Sequence, residues 1–228
     1  MLDSVLERFV NETGLVDYAS LQARPDELHD FLHSLAVISP ESSPDLFTSR
    51  HHELAYWINA YNACVLKGVL DHYPIESVRG THVAYGFFWR KRFILGGQKM
   101  TLYTLEHEII RKRYQDARIH FAINCASFGC PRLRRHAFRG DTLDRELNEA
   151  AREFVNNDAY VSYDGETLRV SRIFKWFKKD FLAAVRADNT DGGLKEYLAL
   201  YLSPDRESFA KASFLRFRSY DWSLNDEK

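Results

Sequence analysis

The sequence predicts an α+β protein: a single domain in which a helical N-terminal part packs on a small mixed or antiparallel sheet. Three observations predict it. Apolar residues recur at three- and four-residue steps over several segments, which is the helical period. Short segments of strand-forming residues are bounded by turn pairs such as Gly96-Gly97 and Asp164-Gly165. The two kinds of segment follow one another without the regular alternation of a doubly wound sheet.

The 228 residues suit one domain, and 45% hydrophobic with 14% aromatic residues furnish a core that a disordered chain lacks. A formal charge of -1 argues against general electrostatic binding of nucleic acid. No apolar run approaches the roughly 20 residues of a membrane-spanning helix, and the opening residues lack the basic start and apolar stretch of a secretory signal. Three cysteines, an odd number, do not form a disulfide framework and suit a reducing compartment. The cytoplasm is the expected location; an exported form with its signal removed is the other reading.

The elements follow in order. Asp26 is the candidate N-cap of a helix from Glu27 to Val37, with Leu28, Phe31, Leu32 and Leu35 on one face. Pro40 and Pro44 mark a loop. A second helix runs from about Glu53 to His72 on a stripe of Leu54, Trp57, Ile58, Tyr61, Val65 and Val69, and Pro74 stops it. Between Val83 and Met100 aromatic residues crowd together, and Phe93-Ile-Leu95 before Gly96-Gly97 reads as a hairpin. Thr104 caps a helix from Leu105 to Tyr114.

Arg118 to Asn124 alternates Ile119, Phe121 and Ile123 with His120, Ala122 and Asn124, the pattern of a short strand. A loop with Gly129 follows, and Pro131 is placed to open a short helix. Thr142 to Asn156 is a helix. Tyr160–Tyr163 and Thr167–Val170 form a hairpin across Asp164-Gly165. Ser171 caps a helix carrying Ile173, Phe174 and Phe181. A helix at 194–202 and a strand from Phe214 to Tyr220 close the chain.

The chemistry concentrates at Arg118-Ile-His120-Phe-Ala-Ile-Asn-Cys125-Ala-Ser-Phe-Gly-Cys130-Pro. Within an extended strand His120 and Cys125 cannot meet. Cys130 can fold back towards His120 through the loop. A helix starting at Pro131, with Arg132, Arg134 and Arg135 nearby, would favour its thiolate. A thiolate beside an imidazole is the unit of cysteine nucleophilic catalysis. A second cluster, Glu106-His107-Glu108 with Arg111, supplies a carboxylate able to orient a histidine across the fold, or else an ordinary solvated helix face.

His107, His120, Cys125 and Cys130 also invite a zinc reading, but Cys-x4-Cys is a loose spacing and no second compact ligand pair exists, so no metal or other cofactor is expected. A Cys125–Cys130 disulfide is a minor alternative. Asn59 and Asn62 share a helix face with small neighbours, which implies buried, bonded amides that tie loops to the core or fix active-site backbone. The aromatic run Tyr85-Gly-Phe-Phe-Trp89 before Arg90-Lys-Arg92 reads as a core hairpin with a basic edge, or as a ligand surface.

Five ordered motifs resemble the DUF547 family (domain of unknown function 547): Trp57-Ile-Asn-Ala-Tyr-Asn-Ala63; Leu105-Glu-His with Ile110-Arg111; Ile119-His-Phe-Ala-Ile-Asn-Cys-Ala-Ser with Gly129-Cys-Pro131; Ile173-Phe-Lys-Trp176 with Asp180-Phe181; and Tyr220-Asp-Trp-Ser-Leu-Asn225. The resemblance runs from about residue 14 to 225. It implies a papain-like or transglutaminase-like fold with a Cys-His-Glu site and a peptide or glutathione-like ligand. Carried onto this chain, the cysteine is Cys130 or Cys125, the histidine His120 or His107, and the acid Glu106, with Asn59, Asn62 and Arg111 as candidate substrate-binding residues. The expected activity is a cysteine-dependent hydrolase or acyl transferase; the alternative is a non-catalytic binding module of the same fold.

Overall fold

A computed structural model describes residues 1–80, 86–186 and 193–227. Val83 and Tyr85, which open the aromatic run named above, lie outside them. The N-terminal third is helical: α1 (Leu2–Phe9), α2 (Tyr18–Ala23), α3 (Asp26–Val37) and α4 (Arg50–Leu70). Helix α4 begins before the apolar stripe does, because Ser49 caps it by accepting the His52 N–H. It is the axis of the first core, where Trp57, Ile58, Ala60, Ala63, Cys64 and Val69 are fully buried.

A short helix, α5 (Gly86–Trp89), precedes the antiparallel hairpin of β1 (Arg92–Leu95) and β2 (Gln98–Thr101). The hairpin turn docks on the end of α3: Gly96 and Gly97 donate to the Leu35 and Ala36 carbonyls at 2.8 and 2.7 Å. Gly96 has φ 56°, and a Cβ there would meet the Ser39 hydroxyl at 2.0 Å, so no other residue fits. Thr104–Tyr114 forms a π-helix. Its cap is not Thr104 itself: the Thr101 hydroxyl accepts the Thr104 N–H at 3.1 Å.

A second core gathers α6 (Leu143–Val155), the hairpin of β3 (Val161–Tyr163) and β4 (Thr167–Val170), α7 (Ile173–Trp176), α8 (Lys178–Arg186) and α9 (Leu194–Ala199). The last strand, β5 (Phe214–Phe217), pairs parallel to β4, which makes this sheet mixed. The α+β class and the mixed and antiparallel sheets thus match the sequence reading.

The expected Asp26 cap also fails, for Asp26 lies inside α3, and two segments differ in their secondary structure. Residues Ala117–Phe121 form a 3-10 helix and not a strand. The alternation was real, but it sorts residues between two cores: Ile119 and Ile123 enter the first and Phe121 the second. No helix starts at Pro131. Residues 131–134 and 137–139 are irregular, and their backbone is claimed elsewhere: the Pro131 carbonyl accepts from Asn124 Nδ2, and Phe138 pairs with the Asn59 amide.

Candidate functional site

The segment after His120 is a loop held from three directions. From α4, Asn62 donates to the Ala122 carbonyl at 3.0 Å and accepts the Asn124 N–H at 2.9 Å. Asn124 in turn accepts the Ala126 N–H and donates to the Pro131 carbonyl, both at 2.7 Å. These bonds hold Ala126 at φ 61°, a left-handed conformation costing roughly 1–2 kcal/mol for a residue with a Cβ. From the C-terminal segment, Ser223 and Asp221 offer carbonyls to the Phe128 and Gly129 N–H groups at 2.8 and 2.9 Å. Gly129 must lack a side chain, since a Cβ would sit 2.9 Å from both the Asp221 carbonyl and the Tyr220 ring. From the second core, the Tyr160 hydroxyl donates to the Cys130 carbonyl at 2.9 Å.

This frame places Cys125 and Cys130 side by side, joined as a disulfide. The Cys130 sulfur also accepts the Cys125 N–H at 2.9 Å and the Tyr220 hydroxyl at 3.1 Å. The nearby arginines do not act on it as expected. Arg132 and Arg134 pair with Glu153, Arg134 also with Glu149, and Arg135 with Glu12. With the Pro131 helix absent as well, neither source of positive potential foreseen for Cys130 is present.

His120 is buried, its ring stacked on Phe177 at 3.9 Å. Its Nε2 lies 2.7 Å from Asp180 Oδ2 on α8. Arg111 from the π-helix clasps the same carboxylate at 2.8 and 3.1 Å, and its guanidinium covers Phe177 at 4.8 Å. Burial alone would raise the Asp180 carboxyl, but hydrogen bonds from His120 and Arg111 outweigh it and hold it well below the usual carboxylate range. An ionised Asp180 requires His120 to carry its proton on Nε2, which leaves Nδ1 as the lone-pair nitrogen. That atom is buried without a hydrogen-bond partner. Burial pushes the imidazole down from 6.5 to about 4, against the pull of Asp180, so the ring is neutral at neutral pH.

The carboxylate on His120 is therefore Asp180, not Glu106. Glu106 instead receives the Tyr61 hydroxyl at 3.2 Å. Burial raises it from 4.5 to about 7, although Arg111 and Tyr61 both oppose the rise. His107 stacks on Tyr103 at 4.1 Å, and burial followed by the Arg111 charge lowers its pKa.

Glu106, His107, His120, Cys125 and Cys130 all line one cavity of about 220 Å³, where the two cores meet. Tyr220, Trp176, Phe177 and Trp222 are among the other residues of its wall. Asn59 and Asn62 stand outside this lining; each spends its amide on backbone, Asn59 clasping Phe138 at 2.8 and 2.9 Å. Arg111 is not in this lining; it lines a second surface depression with Asp180 and Lys112, which shares Tyr103 and His107 with the cavity. Asp180 and Tyr220 were not among the candidate residues, although both stand in the quoted motifs. Among the described residues no group of three or more His, Cys, Asp or Glu side chains is arranged to hold a metal, and no helix is long and apolar enough to cross a membrane.

Fold and site together define an α+β protein with a histidine–carboxylate pair and a sulfur pair facing one aromatic cavity. Residues 46–155 match the model of a family described as a protein of unknown function, DUF547. That segment holds both cysteines, both histidines and Glu106, whereas Asp180 and Tyr220 lie beyond it. No curated protein and no solved structure matched the chain.

Proposed function

We propose that the protein is a cysteine-dependent hydrolase or acyl transferase that acts on a peptide-like carbonyl through Cys130, His120 and Asp180. One observation carries the reading: the sulfur pair and an imidazole held by a carboxylate on Nε2 line the same cavity. The oxidised form is latent, because a sulfur bonded to sulfur is no nucleophile. An external dithiol breaks the Cys125–Cys130 bond, supplying two electrons and two protons and becoming a disulfide itself. The freed Cys130 thiol keeps the Cys125 N–H and the Tyr220 hydroxyl as donors to its sulfur, and donors to the charged form lower a thiol pKa.

Attack on the carbonyl then forms the carbon–sulfur bond. Neutral His120 takes the thiol proton on Nδ1 and returns it to the leaving group, while Asp180 keeps Nε2 protonated and the ring oriented. Water or a second acceptor releases the acyl group. The papain-like or transglutaminase-like relationship belongs to this proposal and rests on the sequence motifs.

The test is alkylation and turnover of the reduced protein. Iodoacetamide should label Cys130 first, and activated acyl esters or thioesters should turn over in wild type and Cys125→Ala but not in Cys130→Ala. Labelling that moves undiminished to Cys125 in Cys130→Ala would overturn the choice of nucleophile. The second reading, a non-catalytic binding module, is favoured by the disulfide itself, since the oxidised cavity has no free thiol. Ligand binding without turnover in the fully reduced protein would establish it.

A further inference from the structure

Resting on the reading just given, we infer that the cavity selects a substrate whose bound end is a small alkylammonium cation, and that Glu106 is its counter-ion. The walls are the first argument. Trp89, Tyr103 and His107 stack in series, with centroids 3.6 and 4.1 Å apart. A second group joins Tyr220 to Trp176 at 4.7 Å and to Trp222 at 4.6 Å. All of these rings line the cavity. Indole and phenol faces attract a weakly hydrated cation strongly once water is excluded.

Charge is the second argument. Glu106 is the one acidic side chain among the described lining residues, and neither lysine nor arginine is among them. Both lining histidines are held towards the neutral form by burial. The Arg111 guanidinium is committed to both oxygens of Asp180, and the Arg79 guanidinium stands over the Trp222 ring at 5.2 Å, outside the lining. Among the described lining residues an anionic glutathione-like ligand would meet aromatic faces and a carboxylate, and no lysine or arginine. Glu106 has one described hydrogen-bond donor, the Tyr61 hydroxyl, so its remaining lone pairs are available to an incoming cation.

Cation entry has a proton signature. The groups acting on Glu106 are Tyr61 from α4, Arg111 from its own helix, Asp180 from α8 and Tyr220 from the C-terminal segment, while His107 and His120 line the same cavity. With its pKa at about 7 in the empty site, Glu106 is half protonated at neutral pH. A bound cation favours the carboxylate, so binding at pH 7 releases about half a proton.

The experiment is calorimetric titration of the oxidised protein with three probes: choline, its uncharged isostere 3,3-dimethyl-1-butanol, and the thiol-blocked anion S-methylglutathione. Choline should bind at least tenfold more tightly than the isostere, with a heat at pH 7 that depends on the buffer's ionisation enthalpy. In Glu106→Gln the choline preference should disappear while isostere binding persists, which also proves the variant folded. Equal affinity for choline and isostere, no binding of choline, or tighter binding of S-methylglutathione would each overturn the inference. Both sulfurs are bonded throughout, so a negative result leaves the alkylation test of Cys130 untouched, and inert thiols in that test leave the choline result standing.

Discussion

Replacing Glu106 by glutamine should stabilise the protein at alkaline pH and do little at acid pH. Its carboxyl stands at about 7 in the folded chain against 4.5 when free. The folded state therefore holds a proton that the unfolded chain has released, and stability falls as pH rises through that window. At about 1.4 kcal/mol per tenfold, the loss amounts to at most about 3 kcal/mol, complete above pH 7 and absent below 4.5. Glutamine keeps an oxygen for the Tyr61 hydroxyl and carries no charge. His120 works in the opposite sense. Its imidazole is at about 4 in the fold and 6.5 free, so the unfolded chain binds the extra proton and stability rises with pH across almost the same interval. In wild type the two slopes nearly cancel. Glu106→Gln removes the falling contribution and leaves the rising one, so in urea unfolding at a series of pH values the variant should gain about 3 kcal/mol on wild type between pH 4 and 8. If the variant differs from wild type by the same amount at pH 4 and pH 8, the carboxyl is not perturbed and the argument fails.

Two further predictions concern the supports of the site. Asp180→Asn leaves the Arg111 guanidinium and His120 without their shared carboxylate; unfolding free energy should drop by about 2–3 kcal/mol, and alkylation of the reduced Cys130 should slow at least tenfold. Asn62→Ala strands the Ala122 carbonyl and the Asn124 N–H inside the core, a loss of about 3 kcal/mol in the same urea assay. Asn62→Asp retains the acceptor and should recover part of it.

The long helices were legible because α3, α4 and α6 repeat apolar residues at helical spacing and turn them to the core, Phe31 and Leu32 of α3 only in part. Gly96-Gly97 and Asp164-Gly165 gave both hairpins for the same local reason. The 118–124 segment defeated the pattern because it is wedged between two cores, and a segment buried on both sides has no polar face to set its period. The cavity's members were half legible. His107, His120, Glu106 and the cysteines stand close in sequence with recognisable chemistry. Asp180 and Tyr220 come 60 and 90 residues after the groups they touch, and no local spacing records such a meeting. The partners of Arg132, Arg134 and Arg135 were hidden likewise, for they are carboxylates on α6 and the turn after α1 and a backbone carbonyl of α1.

The clamp on the cysteine loop has a consequence for the order in which the molecule is made. Ribosomes deliver the two sulfurs about a hundred residues before Asp221, Ser223 and Leu224, whose backbone holds Phe128, Gly129 and Ser127 in place. A nascent chain still short of Tyr220 has both thiols outside the exit tunnel with neither the phenol that touches them nor the strand that aligns their turn. The turn that carries both sulfurs is thus aligned only once residues 220–224 have been made.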